Sequence, residues 1–255
     1  MEPWGTAINR KITWWPIARP FFDYISRLQY MMQKGKLPAK VLYLYGDEVP
    51  VSGGHMEFPP NVIVDITNGD GVRNYLRVED GKLVSPGRVK YDMLAMQPGK
   101  YYKLETLERV KELVEDGAIV SGAFVEQYNT LKGGKADRAK WNALNKELFG
   151  DKGVKGILEI GKGKVYANYM PGELASELGM REEFSSAEVD GDGRSIYWKK
   201  RVHDDGTVWY WVVNGTQSKR ELVVDFNETG KSVSLWNAEK ATRTPAAAVY
   251  DDGSR

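Results

Sequence analysis

The stretch YDMLAMQPGKYYKLETLERVKELVEDGAIV, Tyr91–Val120, carries three patterns in succession. Tyr91 to Met96 is a short, almost continuous apolar run, as expected of a strand covered on both faces. Leu104, Leu107, Val110, Leu113 and Val114 recur at three and four residues, which puts them on one face of a helix, and Gly117 supplies its stop. Ala118-Ile119-Val120 then opens a second strand. A strand, a helix and a strand at this spacing form a parallel crossover unit, whose chirality is right-handed.

The same alternation extends to either side. Upstream, Phe21, Tyr24, Ile25, Leu28 and Met32 predict an amphipathic helix from Pro20 to Gln33, stopped by Gly35 and Pro38. Val41-Leu42-Tyr43-Leu44-Tyr45 follows as a buried strand closed by Gly46 and Asp47. Downstream, Trp141, Leu144 and Leu148 face inward on a helix from Ala136 to Phe149. Strands at Ile157–Ile160 and Val165–Ala167 and a short helix from Pro171 to Gly179 complete the series. These units predict an α/β fold: a small parallel sheet, flavodoxin-like or amidotransferase-like, with flanking helices.

Beyond Phe184 helical periodicity gives way to strands at Ser195–Val202, Thr207–Val213, Glu221–Phe226 and Ser232–Trp236, separated by turns at His203–Gly206 and Asn227–Gly230. This is the pattern of an antiparallel sheet, half of a β-sandwich. Tyr250–Arg255 reads as a turn with no returning strand, so the sandwich is expected to be truncated. The expected divisions are a leading segment and helix at 1–37, an α/β domain at 38–183 and an incomplete antiparallel β domain at 184–255.

Composition narrows the function. With 36 basic and 35 acidic residues, no net field recruits nucleic acid or an anionic membrane. There is no cysteine, which removes disulfides and thiolate chemistry, and no run of about 18 apolar residues that would span a bilayer. The segment MEPWGTAINRK lacks the apolar centre of a signal peptide. His55 and His203 are the only histidines and lie far apart in sequence, which leaves little for a histidine metal site or a Ser-His triad. Eight Trp and fourteen Tyr supply flat amphipathic rings of the kind that stack on sugars, although rings of this kind also fill cores.

Ile8-Asn9-Arg10-Lys11-Ile12-Thr13-Trp14-Trp15, then Asp23-Tyr24-Ile25-Ser26-Arg27-Leu28-Gln29-Tyr30 and Gly35, resemble a joint in glycoside hydrolase family 106, the α-L-rhamnosidases. Tyr43–Pro50, Leu76–Val84, Val110–Ala118 and Leu235-Trp236-Asn237 are similar to that family in the same order. The resemblance implies a C-terminal region that follows a catalytic (β/α) barrel missing from this chain, so no catalytic residue is carried over. It also implies a rhamnose-containing glycan as the partner of the intact enzyme, with calcium in the barrel and no cofactor in this chain. The parent is expected to be periplasmic or secreted, with a contact between copies.

On this reading Asn9, Arg10, Trp14 and Trp15 leave the last barrel strand, where loops line the pocket of such barrels, and they are the candidate substrate-binding residues. In the alternative, the Trp pair anchors the barrel to the α/β domain. Asp47 and Glu48, beyond the first strand, are placed to hold a cation or a sugar, or else form a solvated loop or inter-domain contact. Asp190-Gly191-Asp192-Gly193 lacks the twelfth-position Glu of a calcium loop and reads as a turn. Gly161-Lys162-Gly163-Lys164 lacks the spacing of a phosphate loop and reads as a hairpin, and Ser52-Gly53-Gly54-His55 is not a nucleophile elbow. The rival reading is a stand-alone sugar-binding module with Trp198, Trp209, Tyr210 and Trp211 as its platform. A flavin or nucleotide binder is a third, weakened by the absence of a glycine-rich loop after the first strand.

Overall fold

A computed structural model describes residues 8–49, 58, 62–188, 195–246, 249–251 and 253. After a 3-10 turn at Trp15–Ile17 come α1 (Arg19–Gln33), β1 (Val41–Leu44), β2 (Val64–Thr67), α2 (Gly69–Tyr75), β3 (Arg77–Glu79), β4 (Lys82–Val84), β5 (Lys90–Tyr91) and β6 (Met93–Met96). The chain continues through α3 (Leu104–Glu115), β7 (Ile119–Gly122), α4 (Gly134–Phe149), β8 (Gly156–Ile160), β9 (Gly163–Ala167) and α5 (Pro171–Glu177). It ends with β10 (Phe184–Glu188), β11 (Ile196–Val202), β12 (Val208–Asn214), β13 (Leu222–Phe226), β14 (Ser234–Asn237) and β15 (Thr242–Pro245). The runs Ser52–His55 and Asp190–Gly193 lie outside the described residues.

The fold is mixed α/β. Contacts divide the chain into two compact units: residues 37–198 with 213–227, and residues 1–36 with 199–212 and 228–255. The first is built on a six-stranded sheet in the order β2-β1-β6-β7-β9-β8. Its neighbours pair in parallel except β8 and β9, which form an antiparallel hairpin.

β1 and β6 are buried at every position, because residues of alternating direction enter two cores. Leu42, Leu44, Leu94 and Met96 join Leu107, Val110, Leu113 and Val114 of α3 and Trp141, Leu148 and Phe149 of α4. Val41, Tyr43, Met93 and Ala95 point the other way, onto Leu174 and Ala175 of α5. The four apolar α3 side chains are wholly buried, at about 1.5–3 kcal/mol each. That outweighs the exposed Lys111–Glu115 pair, 3.6 Å apart on the same helix, which is worth a few tenths of a kcal/mol at most.

The apolar run at 91–96 is not one strand. The N–H groups of Asp92 and Met93 both turn to the carbonyl of Lys40, at 2.7 and 3.4 Å, and break the run. Tyr91 pairs instead with Leu83 of β4, in a separate three-stranded sheet of β3, β4 and β5. The single antiparallel sheet expected after Phe184 is three two-stranded ones: β10 with β13, β11 with β12 and β14 with β15. Within the α/β unit, the buried Phe184 of β10 stacks on Trp198 at 5.3 Å and meets Phe226 of β13 at 5.6 Å.

In the other unit α1 buries no residue completely. Guanidinium bonds to carbonyls fix its middle and its C-terminal end. Arg27 donates from Nε to Ala238 O at 2.6 Å and from Nη2 to Glu239 O at 3.1 Å. At the C-terminal end Arg201 donates to the carbonyls of Lys34 and Gly35, at 3.0 and 2.7 Å. Gly35 is required there: its φ is +67°, and a Cβ would meet the Val202 carbonyl oxygen at 2.6 Å.

Candidate functional site

In the sheet, β2 lies on one side of β1 and β6 on the other, so the connections part beyond the C-terminal ends of β1 and β6. Open α/β sheets place ligands at such a divergence. Here it is filled from within. Tyr102, 2% exposed, brings its hydroxyl within 3.1 Å of Leu44 O and 2.9 Å of Gln97 O, the carbonyls that end the two strands. Burial pushes its phenol well above the usual range, so it stays neutral and a donor.

Asp47 closes the same end. Its carboxylate, 5% exposed, accepts from Lys103 N at 2.9 Å, Thr106 Oγ1 at 2.7 Å and Arg73 Nη1 at 3.4 Å. Lys103 is the N-cap of α3, and Asp47 takes its N–H as the N3 side chain of a capping box would, with its negative charge at the positive end of the helix. Glu48 takes the Tyr101 N–H at 3.0 Å and the Lys100 ammonium at 2.8 Å. Asp47 is thus not a solvated loop acid but a brace, with its acceptor positions committed to the protein.

Asn9, Arg10, Trp14 and Trp15 lie together on the segment before α1. Asn9 Oδ1 accepts from Lys11 N at 2.8 Å, and Arg10 is exposed. Trp14 meets Phe21 edge-on at 6.0 Å, and Trp15 meets Phe22 at 5.6 Å. The two Trp rings therefore extend an aromatic cluster on the first turn of α1, where Trp15, Phe21 and Ile17 are 39, 47 and 76% exposed.

The expected platform of Trp198, Trp209, Tyr210 and Trp211 is not a bare face. Trp198 stacks on Phe184, Trp209 packs on His203 at 4.3 Å, and Tyr210 receives the Lys200 ammonium at 5.2 Å. Trp211 instead borders an open groove of about 610 Å³ with Tyr24 of α1 and Trp236, Lys240, Thr242 and Thr244 of the β14–β15 hairpin. The Arg27 bonds to Ala238 and Glu239 hold that hairpin to α1. Tyr24 was expected on the inward face of its helix, and Trp236 was marked only by its place in Leu235-Trp236-Asn237.

Among the described residues no three His, Asp or Glu side chains are placed to hold a metal ion. No described helix is long and apolar enough to cross a membrane.

The family model of glycoside hydrolase 106, described as alpha-L-rhamnosidase, matches residues 1–250. The chain belongs to this family. A protein of Formosa agariphila named "Putative beta-glucuronidase" is 29% identical over 240 residues, which are 93% of this chain and 19% of that protein. The rhamnosidase from Novosphingobium sp. PP1Y shares the fold, with a TM-score of 0.76 and 24% identity over 94% of this chain and 23% of its own. The family chain described here thus spans about a fifth of the length of its curated relative.

Proposed function

We propose that this chain is the C-terminal region of a glycoside hydrolase acting on α-L-rhamnosides. It braces the catalytic barrel, lines the rim of the sugar pocket through Asn9, Arg10, Trp14 and Trp15, and is inactive alone. The family match along almost the whole chain, set against so small a share of the relatives' length, carries this reading. Glycoside hydrolysis needs two carboxyl groups flanking one bond, and among the described residues Glu239 is the only acid lining the groove.

The strand order β2-β1-β6-β7-β9 supports reading the α/β unit as flavodoxin-like, since it is the 2-1-3-4-5 order of that fold. The short hairpins after Phe184 are read as parts of an incomplete β-sandwich in the intact protein. A sugar-binding module without chemistry is the second reading, and the aromatic groove favours it.

The test is turnover of 4-nitrophenyl α-L-rhamnopyranoside, with the β-D-glucuronide in parallel because a relative carries that name. The purified chain should release no nitrophenol. Supplied with the barrel-containing remainder of a family rhamnosidase, it should support release from the rhamnoside only, and Trp14→Ala or Trp15→Ala should raise KM. Hydrolysis by the chain alone that survives repurification would overturn the proposal, and preference for the glucuronide would overturn the sugar assignment.

A further inference from the structure

We propose that the outer edge of β8 is an interface at which two copies of this chain pair, antiparallel, about Ile157. β8 ends the six-stranded sheet, and among the described residues no strand pairs with its far side. The backbone shows which groups that leaves open. The N–H groups of Lys164 in β9 and of Asn168 just beyond it go to the carbonyls of Ala118 and Gly122. Gly163, Val165 and Ala167 therefore turn to β8, where they face Ile160, Leu158 and Gly156. The N–H and C=O of Ile157 and Glu159, between those positions, point outward, and no bond from another described element reaches them.

An edge of this kind is a template for a further strand. Neither a proline nor a bulge interrupts Gly156-Ile157-Leu158-Glu159-Ile160, and Ile157 at its centre is 50% exposed. Charge selects a second copy as the occupant. A two-fold axis at Ile157 sets Ile157 against Ile157 and each Lys155 against Glu159 of the other copy, all on one face of the strand. With the axis at Leu158, Ile157 would instead meet the Glu159 carboxylate, and with the axis at Glu159 the two carboxylates would meet each other. β8 thus carries both halves of its own complement. The present partners of these charges are Glu173 for Lys155, at 2.8 Å, and Lys164 for Glu159, at 3.3 Å. Both are exposed pairs, which exchange partners at little cost. The pairing spans one short strand, so the association is weak and reversible.

Sedimentation equilibrium on the full chain tests this, with circular dichroism to confirm that each variant is folded. The unsubstituted chain should self-associate as its concentration rises, and amide exchange at Ile157 and Glu159 should slow as it does. Lys155→Glu and Glu159→Lys each put like charges opposite one another at both ends of the pairing, and each should weaken self-association about tenfold. Mixed in equal amounts, the two variants bring opposite charges together again and should recover the association of the unsubstituted chain. A chain that stays monomeric at millimolar concentration overturns the proposal. So does a dimer that both charge reversals leave intact, or a mixture that fails to recover. None of these outcomes touches the hydrolase reading, which turnover with the barrel judges separately.

Discussion

The carboxylate of Asp47 accepts the hydroxyl of Thr106 at 2.7 Å, joining the end of β1 to the first turn of α3. The same carboxylate holds the Lys103 N–H and the Arg73 guanidinium. Asp47→Ala leaves these donors without their acceptor, and hydrogen bonds to a charged group are worth about 1.5–3 kcal/mol. The variant should be about 2–3 kcal/mol less stable in urea denaturation. A loss under about 0.5 kcal/mol would place Asp47 among ordinary surface acids.

Glu48 makes a pH-dependent contribution. Burial by itself raises its pKa, but the Lys100 ammonium and the Tyr101 N–H outweigh burial and hold the carboxyl below the usual range. A carboxylate lowered in the folded state stabilises fully above its unfolded value, about 4.3, and that contribution is lost as pH falls through the folded value. Between about pH 5 and 3 the melting temperature should therefore fall less steeply for Glu48→Gln than for the unsubstituted chain. Parallel curves would show that the pair is too solvated to matter.

Gly163 lies where β9 passes the end of α3, and a Cβ there would stand 2.3 Å from the carbonyl oxygens of both Val114 and Ala118. Backbone cannot yield as a side chain can. Gly163→Ala should cost about 3 kcal/mol, the upper end for overpacking, whereas Gly156→Ala, with nothing within 4 Å of its Cβ, should be nearly neutral. Paired denaturation curves check the contrast.

Asn145 is fully buried on α4 and bonds both ways to one residue: its Oδ1 accepts from Val125 N at 3.0 Å and its Nδ2 donates to Val125 O at 2.9 Å. It therefore satisfies the backbone of the segment following β7 as a neighbouring strand would. Asn145→Ala should lower stability by about 2–3 kcal/mol and accelerate amide exchange at Val125. Unchanged exchange there would show that another group takes over.

The elements that could be read from sequence are those whose signal is local. The strand expected at 41–45 is β1 at Val41–Leu44, and the helix expected through Val114 is α3 at Leu104–Glu115. β2 escaped notice because Val64-Asp65-Ile66-Thr67 is an edge strand with one neighbour and no continuous apolar run. α2 was hidden by Asn68-Gly69-Asp70-Gly71, a turn by composition, in which Asn68 Oδ1 instead caps the helix by accepting from Gly71 N at 2.9 Å. The Asp47 network and the Tyr24–Trp211–Trp236 groove were out of reach for a different reason. Their members are joined only by the folded chain, and no periodicity links them.

The guanidinium of Arg27 bonds to carbonyls 211 and 212 residues further along the chain. On a ribosome, α1 therefore emerges long before its partners exist. At about 5–20 residues per second, roughly ten to forty seconds pass before Ala238 and Glu239 follow it out. The α/β unit, continuous from residue 37 to 198 apart from the returning stretch at 213–227, can close its main sheet in that interval. Until then α1 lacks the carbonyl partners that tie it to the β14–β15 hairpin, which makes the docking of this helix a late step in the folding of its unit.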